Sequence, residues 1–298
     1  MSTFFKVIFI LFLTTNIVHA QNTSSFNFSE NFQSGDFSDG YRNKEITKNN
    51  GYEIDTSSNE GRFDDAFLIT FTNKTGKYGK AKRSEYGIRL FDSIGQTKYL
   101  QFSFKIPKNF KFDKQNLGRE TMIAQWHSKP APDDSWGIYR KYNQYNRPSI
   151  ALYITSNDNK NFYLLMRYGN NGKKEFKHRG KVWSIVALQK INTEKWYDLA
   201  FEIKWSFKND GYIASWIDNE PFTPFNGYNN KIYGANMHNK SPAYFKFGQY
   251  RYWDDSNIHQ IYFDELRVGN SLDEVSLYNK LPEMFSNSRG LDFIENHK

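Results

Sequence analysis

Met122-Ile123-Ala124-Gln125-Trp126-His127-Ser128, near the middle of a 298-residue chain, reads as an extended strand. Successive side chains of a strand point to opposite faces, so Gln125 and His127 emerge together while Ala124 and Trp126 go to the other side. Two other stretches share this parity. In Arg83-Ser84-Glu85-Tyr86-Gly87-Ile88-Arg89, the residues Arg83, Glu85 and Arg89 fall on one face; in Tyr244-Phe245-Lys246-Phe247-Gly248-Gln249-Tyr250, so do Tyr244, Lys246 and Tyr250. Three strands, each polar on one face, would line one groove.

Working outward, strand candidates recur at short intervals: Ala66–Thr72, Gly87–Phe91, Tyr99–Ile106, Thr121–His127, Ser149–Thr155, Phe162–Tyr168, Trp183–Leu188, Trp196–Phe207, Tyr212–Asp218, Ala243–Arg251 and Gln260–Val268. Some alternate cleanly, as Leu199, Phe201, Ile203 and Trp205 do against Ala200, Glu202, Lys204 and Ser206. Phe26 to Phe37 reads as an edge strand running into a turn at Ser38-Asp39-Gly40, residues 41–62 read as loop, and Asn170-Asn171-Gly172 and Lys208-Asn209-Asp210-Gly211 read as turns. Only Leu272–Phe285 hints at a helix. The pattern predicts an all-β chain of ten or more antiparallel strands, packed as two face-to-face sheets in a jelly roll or related sandwich with a concave groove. No fixed repeat argues for a propeller or solenoid.

The first twenty residues carry Lys6, an apolar run from Val7 to Leu13 and a small-residue cleavage site at Val18-His19-Ala20, which reads as a secretory signal. The expected organisation is signal 1–20, one domain over 21–270, and a polar tail over 271–298. Without the signal, 39 basic residues face 32 acidic ones, a balance of about +7. Outside the cell a basic excess suits an acidic polymer better than nucleic acid. The absence of cysteine excludes disulfides, thiolate metal sites and a lipid-bearing cysteine. Aromatic residues make up 18% of the chain, a composition suited to half-buried strands. The sequence therefore reads as a secreted or periplasmic monomer without a membrane or nucleic-acid partner.

The three stretches resemble the motifs of jelly-roll polysaccharide lyases. Alginate lyases of this type carry Arg-Ser/Thr-Glu-x-Arg, Gln-x-His and Tyr-Phe-Lys-x-Gly-x-Tyr strands, matched here by Arg83-Ser84-Glu85, Gln125-Trp126-His127 and Tyr244 to Tyr250. The last matches at all five defined positions. The Gln-Trp-His form with Arg147-Pro148 downstream is closer to the heparin, glucuronan and ulvan lyases of the same fold, and the small secreted layout resembles ulvan lyases of marine flavobacteria. Arg89 follows Arg83 by six positions where the alginate family has four, so a bulge or shift is expected there. The resemblance spans roughly residues 60–270.

The resemblance implies β-elimination at a uronic acid, and the residue types suit that chemistry on their own terms. The proton on carbon 5 is weakly acidic, so the enzyme must neutralise the adjacent carboxylate, remove the proton and protonate the departing oxygen on carbon 4. Arg83, a permanently charged fork, and Gln125, a neutral donor, suit the carboxylate. The imidazole of His127 can take the proton and Tyr250 can supply one, with Lys246 expected to lower the Tyr250 pKa. In some relatives one tyrosine serves as both base and acid, so the division between His127 and Tyr250 stays open. Glu85 is assigned to orienting the arginines. Arg89, Lys246, Tyr244, Arg147, Lys141 and His238 are candidate substrate contacts, the loop from Trp136 to Arg147 being dense in aromatic and basic residues.

The histidines are scattered and cysteine is absent, so no zinc signature exists. Catalysis is expected to require no cofactor, and a structural calcium tying first and last strands would be sought at Glu30, Gly35 and Asp264. His178 with Arg179 and Lys181 reads as a solvated hairpin and His259 as structural. Ulvan is the first choice of substrate, cut endolytically, with glucuronan, heparin-like chains and alginate behind it. A sandwich glycoside hydrolase would need a Glu/Asp pair at fixed separation. A non-catalytic carbohydrate-binding module would make His127 dispensable.

Overall fold

The computed structural model describes residues 28–37, 41–46, 51–72, 82–92, 94–128, 148–169, 183–206, 208–225, 231–237, 243–253 and 255–278. In chain order its strands are β1 (Phe28–Glu30), β2 (Tyr41–Ile46), β3 (Tyr52–Asp55), β4 (Phe67–Thr72), β5 (Lys82–Asp92), β6 (Thr97–Lys105), β7 (Glu120–Ser128) and β8 (Ile150–Ser156). There follow β9 (Phe162–Gly169), β10 (Trp183–Ile191), β11 (Tyr197–Lys204), β12 (Tyr212–Ile217), β13 (Glu220–Pro221), β14 (Lys231–Tyr233), β15 (Ala243–Arg251) and β16 (His259–Gly269), then a short helix α1 (Leu272–Val275).

Two antiparallel sheets form a β-sandwich jelly roll. One runs β13-β12-β11-β6-β16-β4-β3, with β1 on β16 and β14 on β12; the other runs β10-β9-β8-β7-β15-β5-β2. The inward faces carry the residues that alternation selects. Leu199, Phe201 and Ile203 enter the core, as do Trp126 and Ala124 from the other sheet. Trp126 packs against Phe201 (centroids 5.1 Å) and Phe245 (4.8 Å). Each fully buried ring of this kind contributes about 2–3 kcal/mol relative to leaving it in water. A polar pin crosses the same interior: Gln249 Nε2 donates to the carbonyls of Thr70 (2.8 Å) and His259 (3.1 Å), and Thr72 Oγ1 donates to Gln249 Oε1 (3.1 Å).

Three sequence expectations change. Residues 41–62 are not all loop, because β2 and β3 lie within them as sheet-edge strands. Of the expected edge strand at 26–37 only Phe28–Glu30 is extended in the described part, paired with Val268 to Leu266. The tail expected from 271 still belongs to the packed domain as far as Tyr278. Ser271 caps α1 by accepting from Glu274 N, Leu277 N donates to Gln101 Oε1 (3.2 Å), and Tyr278 OH donates to Asp198 Oδ2 (2.5 Å). Residues 1–27 and 279–298, with the Asn170-Asn171-Gly172 turn, lie outside the described residues.

Candidate active site

Strand order decides what the polar faces can do. β15 lies between β5 and β7, so the three motif strands, distant in sequence, lie side by side with β15 paired to both of the others. Tyr244 opposes His127, Lys246 opposes both Gln125 and Gly87, and Tyr250 opposes both Met122 and Arg83. Extra residues adjust the facing. In β7 the register shifts between Met122 and Ala124, and Ile123 and Ala124 both enter the core. Met122 thereby lies on the outer face of the sheet along with Gln125. The shift in β5 falls where Phe91 opposes Tyr244 and Gly87 opposes Lys246, which is the segment containing Arg89. The side chain of Arg89 lies outside the described atoms, and Arg147, Lys141 and His238 lie outside the described residues.

Gln125, Tyr244, Lys246 and Tyr250 form a buried floor, while His127 and Arg83 stay partly open. Gln125 Nε2 donates a short hydrogen bond to Glu85 Oε1, and the other carboxylate oxygen of Glu85 lies 3.7 Å from Arg83 Nε. The Arg83 guanidinium carbon sits 4.2 Å from the centroid of Tyr250. The rings of His127 and Tyr244 are 5.8 Å apart, and Lys246 Nζ lies 5.3 Å from the Tyr244 ring centroid.

Burial raises the Tyr250 hydroxyl well above the ordinary phenol range; a hydrogen bond with Tyr252 adds to this, and Arg83 partly opposes it. The expected tuning by Lys246 is therefore corrected. Lys246 lies two same-face positions away from Tyr250, over the ring of Tyr244, and the cation acting on Tyr250 is Arg83. Tyr250 keeps its proton at neutral pH, as a proton donor should.

Sequence reasoning missed Tyr252 and the apolar continuation of the floor. Tyr252 is 68% exposed and stands edge-on to Tyr250 at 4.8 Å; its place two residues beyond Tyr250 was the available signal. Apolar Met122, Tyr153 and Leu165 continue the floor past Tyr250 toward Ile185 and Leu188. Cross-strand registers align Arg83, Tyr250, Met122, Tyr153, Leu165 and Leu188 in one row across six strands. At about 4.8 Å per strand the row is roughly 24 Å long, enough for several sugar rings.

The carboxylates expected to hold calcium accept backbone hydrogen bonds. Asp264 accepts from Arg62 N (2.8 Å) and Glu265 N (2.7 Å), and Glu30 Oε1 accepts from Phe32 N (2.9 Å). Among the described residues no group of three or more His, Asp or Glu is arranged to hold a metal. His259 is buried on β16 of the other sheet, with Arg251 Nη1 2.8 Å from its Nδ1 and Asp255 3.6 Å from its Nε2.

A family model described as polysaccharide lyase matches residues 32–267. The chain belongs to the polysaccharide lyase family. Comparison with curated proteins returned no match. Among solved structures, this lyase is similar to the endo-β-1,4-glucuronan lyase of the fungus Trichoderma reesei, at 19% identity and TM-score 0.56, covering 84% of this chain and 97% of the other. It is also similar to the alginate lyase Aly36B in complex with an alginate trisaccharide, at 13% identity and TM-score 0.51, covering 82% and 98%. A glycoside hydrolase family 131 domain from Coprinopsis cinerea shares the fold at 11% identity and TM-score 0.50, covering 78% and 83%. The sandwich therefore serves more than one chemistry, and it is the family match that makes this protein a lyase.

Proposed function

We propose that this polysaccharide lyase cleaves a uronate-containing chain by β-elimination in the groove of β5, β15 and β7. The observation that carries the reading is that Arg83, Gln125, His127 and Tyr250 stand on three strands paired side by side, with Arg83 over the Tyr250 ring and Gln125 bonded to Glu85. Arg83 and Gln125 hold the uronate carboxylate and stabilise the charge that spreads into it as the carbon 5 proton leaves. Preorganised donors of this kind are worth about 10²–10³ in rate. Neutral His127 takes the proton, the electron pair of the broken C–H bond forms the double bond between carbons 4 and 5, and the bond from carbon 4 to the bridging oxygen breaks. Tyr250 gives its proton to that oxygen. Its raised pKa favours the acid role over that of a tyrosinate base, which supports dividing the work between two residues. Each role is filled by a side chain, and no cofactor is assigned.

The substrate we favour is ulvan, on the Gln125-Trp126-His127 form, cleaved endolytically along the extended row by a monomeric secreted enzyme. Glucuronan is the second reading, supported by the likeness to the glucuronan lyase structure. Incubation with ulvan, glucuronan, heparin and alginate tests both. Elimination creates a conjugated uronate that absorbs in the ultraviolet and, if endolytic, lowers viscosity early. New reducing ends without that absorbance would identify hydrolysis instead, and neither signal would leave a binding module.

A further inference from the structure

The hydrogen bond between Glu85 and Gln125 joins strands that do not touch. β5 and β7 flank β15, so the two side chains meet across an intervening strand. The residue of β15 opposite Glu85 is Gly248, between Lys246 and Tyr250 on the same face, and it projects nothing into the path.

An amide's oxygen and nitrogen ends are alike in shape, and only their partners fix which way it points. Glu85, if ionised, can only accept, so the end of Gln125 that faces it must be the NH₂. One N–H is then committed to Glu85 and the other is left for a substrate. The same carboxylate lies beside Arg83. A carboxylate beside the seat of an anionic sugar, when ionised, works against affinity by simple repulsion. What offsets that cost is orientation of both groups that must grip the substrate's acid.

We infer that Glu85 is a positioning residue of the elimination reaction, fixing the amide of Gln125 and steering Arg83 so that both present donors to the uronate carboxylate. This rests on the lyase reading above and extends it from the groups that meet the sugar to the group that aims them.

The test is a double-mutant cycle on whichever polyuronate the wild-type enzyme cleaves, using wild type, Glu85→Gln, Gln125→Ala and the double variant. Glu85→Gln keeps the volume but offers Gln125 either end of an amide, so the Gln125 side chain can turn over. The expected result is a fall in kcat on the order of ten- to a hundredfold, the range for outer partners that orient an active group, with KM changed less than about threefold. In the Gln125→Ala background most of that loss should disappear. A merely structural role would lower the melting temperature but leave kcat per folded molecule unchanged. If Glu85→Gln does not fold, Glu85→Asp keeps an acceptor with shorter reach and should show a smaller kcat loss with the same dependence on Gln125. Wild-type kcat in the folded variant, or a loss fully additive with Gln125→Ala, overturns the inference while the lyase reading stands. Absence of unsaturated product from the wild-type protein on every polyuronate overturns both.

Discussion

The guanidinium carbon of Arg83 lies 4.2 Å from the ring centroid of Tyr250. One contact thus links the group assigned to the substrate's acid with the group assigned to protonate its leaving oxygen. A planar guanidinium can stack on a ring and still direct N–H groups sideways, which an ammonium cannot do. Arg83→Lys should therefore lower kcat/KM by about tenfold or more despite conserving charge, and Arg83→Ala by about 10²-fold or more. A lysine variant with wild-type kcat/KM would show that charge alone matters there.

Removing the proton-transfer groups should be costly in a specific way. His127→Ala and Tyr250→Phe are each expected to lose at least about 10²-fold in kcat, the lower range for a general base or acid. Their circular dichroism should remain that of the wild type. Near-normal turnover in either variant refutes its role.

The Tyr250 hydroxyl is held above the ordinary phenol value of 10.0. If it acts as the acid, its protonated form is the active one, and no alkaline fall in kcat/KM should come from it below about pH 10. If it acted as a tyrosinate base, the rate would instead keep climbing as pH approached its pKa. A rate profile recorded between about pH 8 and 10, above the ordinary imidazole range, separates these as a plateau for the acid against a continued rise for the base.

His259 bears on stability through its place between Arg251 and Asp255. Burial, the largest influence, lowers its pKa from 6.5, so the folded state favours the neutral ring. A depressed folded pKa means this contribution is complete above 6.5 and is lost as pH falls below it. Asp264 acts with opposite sign, because burial lifts it from 3.8 to about 8 and its contribution is lost as pH rises through that range. Comparing wild type with His259→Gln isolates the ring: the variant should be less stable at neutral pH, and its melting temperature should depend less steeply on pH between about 6.5 and 4.5. Parallel curves would show that the ring stays in one protonation state.

Gly248 has φ of +119°, and a Cβ there would meet Ser84 O at 2.1 Å and Glu85 Cα at 3.0 Å. Gly248→Ala should destabilise by at least about 2 kcal/mol through backbone strain and displacement of β5. Chemical denaturation measures this. A loss under about 0.5 kcal/mol would mean the two strands can separate without penalty.

How much of this was legible in the sequence depends on how local each feature is. The parity of Gln125 and His127 against Trp126, and of Leu199, Phe201 and Ile203 against Ala200 and Glu202, follows from a period of two and is what the fold displays. Tyr41–Ile46 escaped because a short, polar edge strand needs no apolar face, and Tyr52–Asp55 because four residues give too few repeats for alternation to register, although Tyr52 and Ile54 do pack against the core. The inward turn of both Ile123 and Ala124 depends on one extra residue against β8, which alternation cannot register. The Glu85–Gln125 bond and the stacking of Arg83 on Tyr250 require knowing that β15 separates β5 from β7, a pairing between segments more than a hundred residues apart.

On the proposed mechanism, that same insertion of β15 ties activity to completion of synthesis. Until residues 243–251 have been made, β5 and β7 have no strand to join them, and each presents an open edge to the solution. A polypeptide ending before β15 would carry Arg83, Gln125 and His127 and be inert, prone to pair with other chains along those edges. The cell therefore cannot obtain a partly working enzyme from a truncated product, and the last long strand but one to leave the ribosome is the one that closes the catalytic surface.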